Sequence, residues 1–218
     1  MEAVDWGCRG IRTSQARMRT MRSPRWRKKE MVPMTYYIIN TSPRPQANCK
    51  AIAKRIADQL PNAQIVDFKE SAINYCQGCN ACMAKDEAWC IQGDDWAALI
   101  PQLDTCDGVV LLSPIYFGDI TAQAKTVIDR LYAWFNPAKE NATVAKKFGK
   151  KVAVITTNGG GPKELAEQKA QAAAGAFKVA GFTESKVLSL VGLNVPESVL
   201  ENDGFLAQID EVAAWLKA

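Results

Sequence analysis

Short apolar runs alternate with stretches of helical periodicity along this chain, and that alternation constrains its fold more than any other feature. Two of the runs, Gly108-Val109-Val110-Leu111-Leu112-Ser113 and Lys151-Val152-Ala153-Val154-Ile155-Thr156-Thr157, are apolar at consecutive positions rather than at every second one. A strand with that pattern has both faces covered, as strands of a parallel sheet do. Tyr36-Tyr37-Ile38-Ile39, ending at Asn40, predicts a first strand, Ile65-Val66-Asp67-Phe68 a second, and Lys186 to Val191 a fifth. Ile52, Ile56 and Leu60 line one side of a helix beginning near Asn48. Asp94 reads as an N-cap ahead of Trp96, Leu99, Ile100 and Leu103. Ala124, Val127, Ile128 and Leu131 predict the next helix, and an Ala-rich one runs from about Lys163 to a stop at Gly181. Leu206, Ile209, Val212 and Leu216 predict the last. Five strands alternating with helices predict an α/β fold, a doubly wound parallel sheet with helices on both faces.

The 218 residues suffice for one domain with a full hydrophobic core, and 48% of them are hydrophobic. The net charge of +4 is unevenly spread. Residues 1–33 carry nine basic and three acidic side chains, and residues 34–218 carry eighteen basic and twenty acidic ones. The body is therefore close to neutral, which argues against a nucleic-acid surface. The basic leader lacks both an apolar period and the apolar centre of a secretory signal. It suits an organelle transit peptide, translation from a start upstream of Met31 and Met34, or a dispensable tail. The expectation is a disordered basic extension over 1–33 followed by one domain over 34–218. No run of about 18 apolar residues is present to predict a membrane span. Seven cysteines without a secretory signal predict a reducing compartment, the cytoplasm. The absence of histidine removes Ser–His–Asp and Cys–His chemistry.

In a doubly wound sheet, ligands bind beyond the carboxyl ends of the strands. Three segments fall there. The first, Asn40-Thr41-Ser42-Pro43-Arg44-Pro45-Gln46-Ala47-Asn48-Cys49, joins the first strand to the first helix. A helix N-terminus offers unpaired N–H groups; Ser42 and Asn48 add side-chain donors and Arg44 a fixed cation. That set suits a phosphate monoester, although an ordinary strand–turn–helix connection with a capping Asn explains it equally well. It is neither a Walker loop nor a Gly-x-Gly-x-x-Gly loop. The second, Ser113-Pro114-Ile115-Tyr116-Phe117-Gly118, has a proline expected to break its strand. Gly118 there lets a backbone pass close to a flat ring, while Tyr116 and Phe117 also suit a core or a subunit contact. The third, Thr156-Thr157-Asn158-Gly159-Gly160-Gly161, offers backbone donors without obstructing side chains, or is simply a flexible loop.

Between the second strand and the second helix, at about 74–94, lies an insertion with Cys76, Cys79, Cys82 and Cys90. Cysteines three residues apart do not pair readily with one another, but their thiolates can converge on one inorganic centre. The spacing is that of runs holding iron–sulfur clusters. Structural zinc is a second reading, although zinc more often takes two separated Cys-x-x-Cys knuckles. Free or redox-active thiols are a third. Cys8, Cys49 and Cys106 carry no such pattern.

Ser42-Pro43-Arg44 with Asn48, Cys76-x-Gly-Cys79-x-x-Cys82 with Asp94-Asp95, Ser113-Pro114-Ile115-Tyr116-Phe117-Gly118, and Lys125-x-x-Ile128-Asp129-Arg130 together resemble the NADPH-dependent FMN reductase family. The resemblance covers about 34–215, and the four-cysteine run resembles the iron–sulfur flavoprotein branch. It implies a flavodoxin-like fold with strand order 2-1-3-4-5. It implies that Ser42, Arg44, Asn48 and Cys49 hold the FMN phosphate, that Pro114, Ile115, Tyr116, Phe117 and Gly118 hold the isoalloxazine, and that Thr157, Asn158, Gly159 and Gly160 line its other side. It implies a [4Fe-4S] cluster on Cys76, Cys79, Cys82 and Cys90. At Cys49 a thiol stands where the family has a hydroxyl residue. With no catalytic side chain required, the expected chemistry is the flavin's own. NAD(P)H or ferredoxin would reduce FMN, which passes electrons to a small-molecule or protein acceptor. The expected assembly is a homodimer or homotetramer. The reading from another class is a flavodoxin-type electron carrier without its own substrate; the near-neutral body and the absence of a Thr-Gly-Asn-Thr loop argue against it. An FMN reductase without a cluster is the nearer alternative, and a zinc-bearing adaptor a further one.

Overall fold

A computed structural model describes residues 34–84, 89–134 and 149–218. The basic extension expected over 1–33 lies outside the described residues. The parallel strands are β1 (Tyr36–Asn40), β2 (Ala63–Asp67), β3 (Gly108–Tyr116), β5 (Lys151–Asn158) and β6 (Glu184–Val191). Their order is β2-β1-β3-β5-β6, so the five parallel strands follow the expected 2-1-3-4-5 arrangement. The sheet has six strands rather than five. The addition is β4 (Asp119–Ile120), which folds back antiparallel on β3 and pairs Ile115 with Ile120 and Tyr116 with Asp119.

Pro114 does not end its strand, contrary to expectation. It lies within β3 in register with Thr157 of β5. The amide of Thr41 donates to the carbonyl of Leu112 at 2.9 Å, so Leu112 turns its polar groups toward β1. Two residues on, Pro114 faces the same side. There β1, which ends opposite Leu112 at Asn40, has already stopped. The amide that proline lacks would have had no strand partner.

The alternation within each strand sorts the core into two layers. Tyr37, Ile39, Val109, Leu111, Val152 and Val154 face the helices α2 (Asp95–Thr105), α3 (Ala122–Arg130) and α4 (Lys163–Val179). Tyr36, Ile38, Val110, Leu112, Ala153 and Ile155 face α1 (Asn48–Ala57) and α5 (Asp203–Lys217). Helices thus cover both faces, which is why the central strands are apolar at every position. Asp94, Thr121 and Asn202 cap α2, α3 and α5 with side-chain oxygens. At the end of α4, Gly181 takes a φ of +105° and its amide returns to the Lys178 carbonyl, the stop expected there. Among the described residues no helix is long and apolar enough to cross a membrane.

Candidate functional site

The carboxyl ends of β1, β3 and β5 close around one cavity of about 260 Å³. Ser42, Arg44, Asn48 and Cys49 line it from the first loop, Pro114, Ile115 and Tyr116 from the second, and Thr157, Asn158 and Gly159 from the third. Ten of the thirteen cavity residues anticipated from the sequence therefore share one wall. Phe117, Gly118 and Gly160 do not line it. Phe117 and Gly118 form the β3–β4 turn, both with positive φ, and Phe117 is fully exposed.

The N-terminus of α1 points its first turn at this cavity. Unlike α2, α3 and α5, it has no side-chain cap, because Ala47 occupies that position. The amides of Asn48 and Cys49 precede the first intrahelical bonds, so the partial positive charge of the helix end is free to meet an anion. Ser42 is buried, and its hydroxyl accepts from the Arg44 amide at 3.3 Å. The exposed Arg44 lays its guanidinium over the Tyr116 ring, 5.6 Å from the centroid. The Asn48 side chain differs from the simple donor expected. Its amide group donates to the Val195 carbonyl at 2.9 Å, and its oxygen accepts from the Val199 amide at 2.9 Å. Asn48 thus ties α1 to the loop after β6, and its backbone amide remains for a ligand. Burial pushes the Cys49 thiol up to about 12, against the weaker opposing effect of Thr157, whose hydroxyl lies 3.3 Å from the sulfur. The thiol therefore stays neutral beneath the helix end and adds no repulsion toward an anion.

The residues beyond β6 were missed at the sequence level. Leu193, Asn194, Val195 and Pro196 line the same cavity. The amides of Gly192 and Leu193 both donate to the Asn158 carbonyl at 3.0 Å, which fastens this loop to the β5 end. The signal was available, since 192–196 follows a fourth strand end in the same sheet.

These walls fit a flavin mononucleotide. The uncapped helix end with Arg44 suits its phosphate. Asn158 lines the cavity and its Oδ1 is buried without a partner, an acceptor suited to a ring N–H. At Gly159 an added Cβ would come 2.3 Å from the Asn194 Oδ1, so a side chain there would crowd the cradle.

A second cavity is lined by Cys76, Cys79, Cys82 and Cys90 together with Arg130. The described residues of the segment holding them carry one short helical turn, Ala81–Met83. Ile73, Cys82, Trp89 and Cys90 anchor it against the α2–α4 side of the core. Asp94 organises its far end: its Oδ1 accepts from the Ala97 amide at 3.0 Å and its Oδ2 from the Asn74 amide at 2.9 Å. Both oxygens also take hydrogen bonds from Arg130. Burial works to raise the Asp94 carboxyl, but the Arg130 bonds and the two amides outweigh it and hold the group at about 2. None of the four cysteines is joined in a disulfide. Among the described residues, no three Cys, Asp, Glu or His side chains converge as one metal ion would require.

Sheet order, strand-end cavity and uncapped first helix define a flavodoxin-like protein. The chain belongs to the NADPH-dependent FMN reductase family, whose model matches residues 34–189. It is 35% identical over 129 residues to an iron-sulfur flavoprotein of Archaeoglobus fulgidus, covering 57% of this chain and 56% of that protein. It is 31% identical over 134 residues to an iron-sulfur flavoprotein of Methanocaldococcus jannaschii, covering 60% of this chain and 66% of that one. The chain thus spans between half and two thirds of the length of these curated relatives. Among solved structures it resembles an NAD(P)H:quinone oxidoreductase from Methanothermobacter marburgensis, with a TM-score of 0.61 and 13% identity over 85% of this chain and 98% of that one. It also resembles an FMN-dependent NADH-azoreductase from Bacillus anthracis in complex with FMN, with a TM-score of 0.59 and 12% identity over 84% of this chain and all of that one. At such identities these two likenesses establish the shared fold alone.

Proposed function

We propose that the chain is a flavin-dependent oxidoreductase that holds FMN in the strand-end cavity and takes electrons from NAD(P)H or ferredoxin. Cys76, Cys79, Cys82 and Cys90 would hold a [4Fe-4S] centre, which would supply a one-electron exit toward a small-molecule or protein acceptor. The observation that carries this reading is the convergence of four strand-end loops on one cavity at an uncapped helix N-terminus. Bound FMN would supply hydride acceptance and single-electron release. The chain's residues bind and orient. The α1 amides and Arg44 hold the phosphate, Tyr116 and the 157–159 loop flank the ring, and Asn158 accepts from its edge. The buried Pro114 and Thr157 keep water from the inner side.

Four cysteines around one cavity suit the donor set of an iron–sulfur centre. In a [4Fe-4S] centre each iron takes its own thiolate, and Cys76, Cys79, Cys82 and Cys90 would supply that set of four from one cavity wall. A homodimer or homotetramer in the cytoplasm remains part of this proposal.

Anaerobic purification with iron, zinc and flavin assays tests the whole reading. The expected result is FMN and iron in wild type, and FMN without iron in Cys79→Ala. NADH or NADPH should bleach the bound flavin directly. Failure of NADH, NADPH and reduced ferredoxin alike to support turnover would leave a non-enzymatic electron carrier, and equal iron in wild type and variant would leave an FMN reductase without a cluster.

A further inference from the structure

We propose that Arg130 is a positioning residue for the cysteine-held centre: its guanidinium donates hydrogen bonds to the sulfur of that centre and raises its reduction potential. This rests on the iron–sulfur reading above. Arg130 ends α3, is 2% exposed, and forms part of the cavity wall shared by the four cysteines. Its Nη2 donates to the Cys90 sulfur at 3.1 Å and to the Asp94 Oδ1 at 2.8 Å. Its Nη1 donates to the Asn74 carbonyl at 2.9 Å and to the Asp94 Oδ2. A guanidinium has five N–H donors. Four are accounted for in these bonds. The fifth, on Nε, is buried without a partner.

Those bonds divide into two tasks. Asp94 neutralises the guanidinium, and the planar fork fixes its orientation from both oxygens. A second Nη2 hydrogen serves the cysteine cavity at Cys90, and the buried Nε–H has no protein acceptor. A clamp that only tied α3 to the insertion would be complete with Asp94 and Asn74. It would not need a donor on a thiol sulfur, and a buried orphan N–H is costly unless an acceptor meets it. Adding one electron to an iron–sulfur centre increases the negative charge on its sulfurs, so N–H donors aimed at them bind the reduced form more strongly. Hydrogen bonds to the sulfurs are a known lever on such potentials. Because Asp94 balances the charge of Arg130, the effect here comes from donor geometry and not from net charge.

The test is an EPR-monitored redox titration of the reconstituted holoprotein as wild type, Arg130→Lys and Arg130→Gln. In Arg130→Gln the one-electron equilibrium should shift about tenfold toward the oxidised form, which is about 59 mV lower in potential. Arg130→Lys, which keeps an N–H donor without the fork, should recover part of the shift. A clamp without influence on the centre would lower iron content or melting temperature while leaving the potential of the retained centres unchanged, and that result overturns the proposal. The wild type decides the matter where the variants do not fold. With ¹⁵N-arginine, its reduced centre should show a weak ¹⁵N hyperfine coupling, and absence of that coupling overturns the proposal. Reconstituted wild type that binds no iron overturns the iron–sulfur reading itself, a failure visible before any titration begins.

Discussion

The guanidinium of Arg44 lies 5.6 Å from the centroid of the Tyr116 ring, bringing the loop after β1 onto the end of β3. Cation–π contact at an exposed site is worth roughly 0.5–1 kcal/mol, so it pre-sets the Arg44 side chain without tying it down. Arg44→Ala should weaken FMN binding by about 1.5–3 kcal/mol, the range of a charge-assisted bond to phosphate. Riboflavin, which has no phosphate, should bind both forms alike. Fluorescence quenching titrations with the two ligands check this, and an equal loss for both would remove Arg44 from the phosphate site.

Asp94 should make the fold sensitive to acid. Its carboxyl is held at about 2 in the folded chain, below the roughly 3.9 of an unfolded one. A depressed carboxylate contributes stability that is fully present above the unfolded value and is lost as pH falls toward the folded one. The contribution is on the order of 2 kcal/mol. Asp94→Asn keeps a capping oxygen for α2 but loses the charge facing Arg130. Wild type should be the more stable at pH 6, and the gap should narrow steadily between about pH 4 and pH 2. Urea unfolding across that range checks it, and a gap independent of pH would contradict it.

Gly159→Ala should separate folding from ligand binding. The added Cβ would meet the end of the exposed Asn194 side chain, which can swing aside, so unfolding free energy should change by less than about 1 kcal/mol. The displaced Asn194 alters the cavity wall, and FMN affinity should fall roughly fivefold or more, about 1 kcal/mol. Calorimetric titration of FMN alongside thermal melting distinguishes this from a general loss of fold.

Phe117 combines a φ of +50° with full exposure. The left-handed conformation costs an L-residue roughly 1–2 kcal/mol, and no burial offsets it here. Phe117→Gly removes that strain while adding freedom to the unfolded chain, so stability should change by less than about 1 kcal/mol. A loss above 3 kcal/mol in chemical denaturation, the scale of a core Phe truncation, would show that the ring is buried in solution.

What the sequence determined by itself is the local layer of the structure. Consecutive apolar residues in 108–113 and 151–157 required strands covered on both faces, and helical spacing between them placed α1 to α5. The rule that ligands gather at strand ends marked the three segments, and the resemblance to the FMN reductase family picked out the ten residues within them that line the cavity. Only the tertiary structure decided how distant side chains complete each other. Asn48 spends its side chain on Val195 and Val199, 147 and 151 residues away, a pairing set by the adjacency of α1 and the β6 end. Arg130 reaches Asp94 and Cys90 across 36 and 40 residues because α3 ends beside the cysteine segment. Pro114 stays in its strand because β1 is two residues too short to need its amide. Each of these depends on which strand lies next to which and where it stops, and no window of neighbouring residues carries that information.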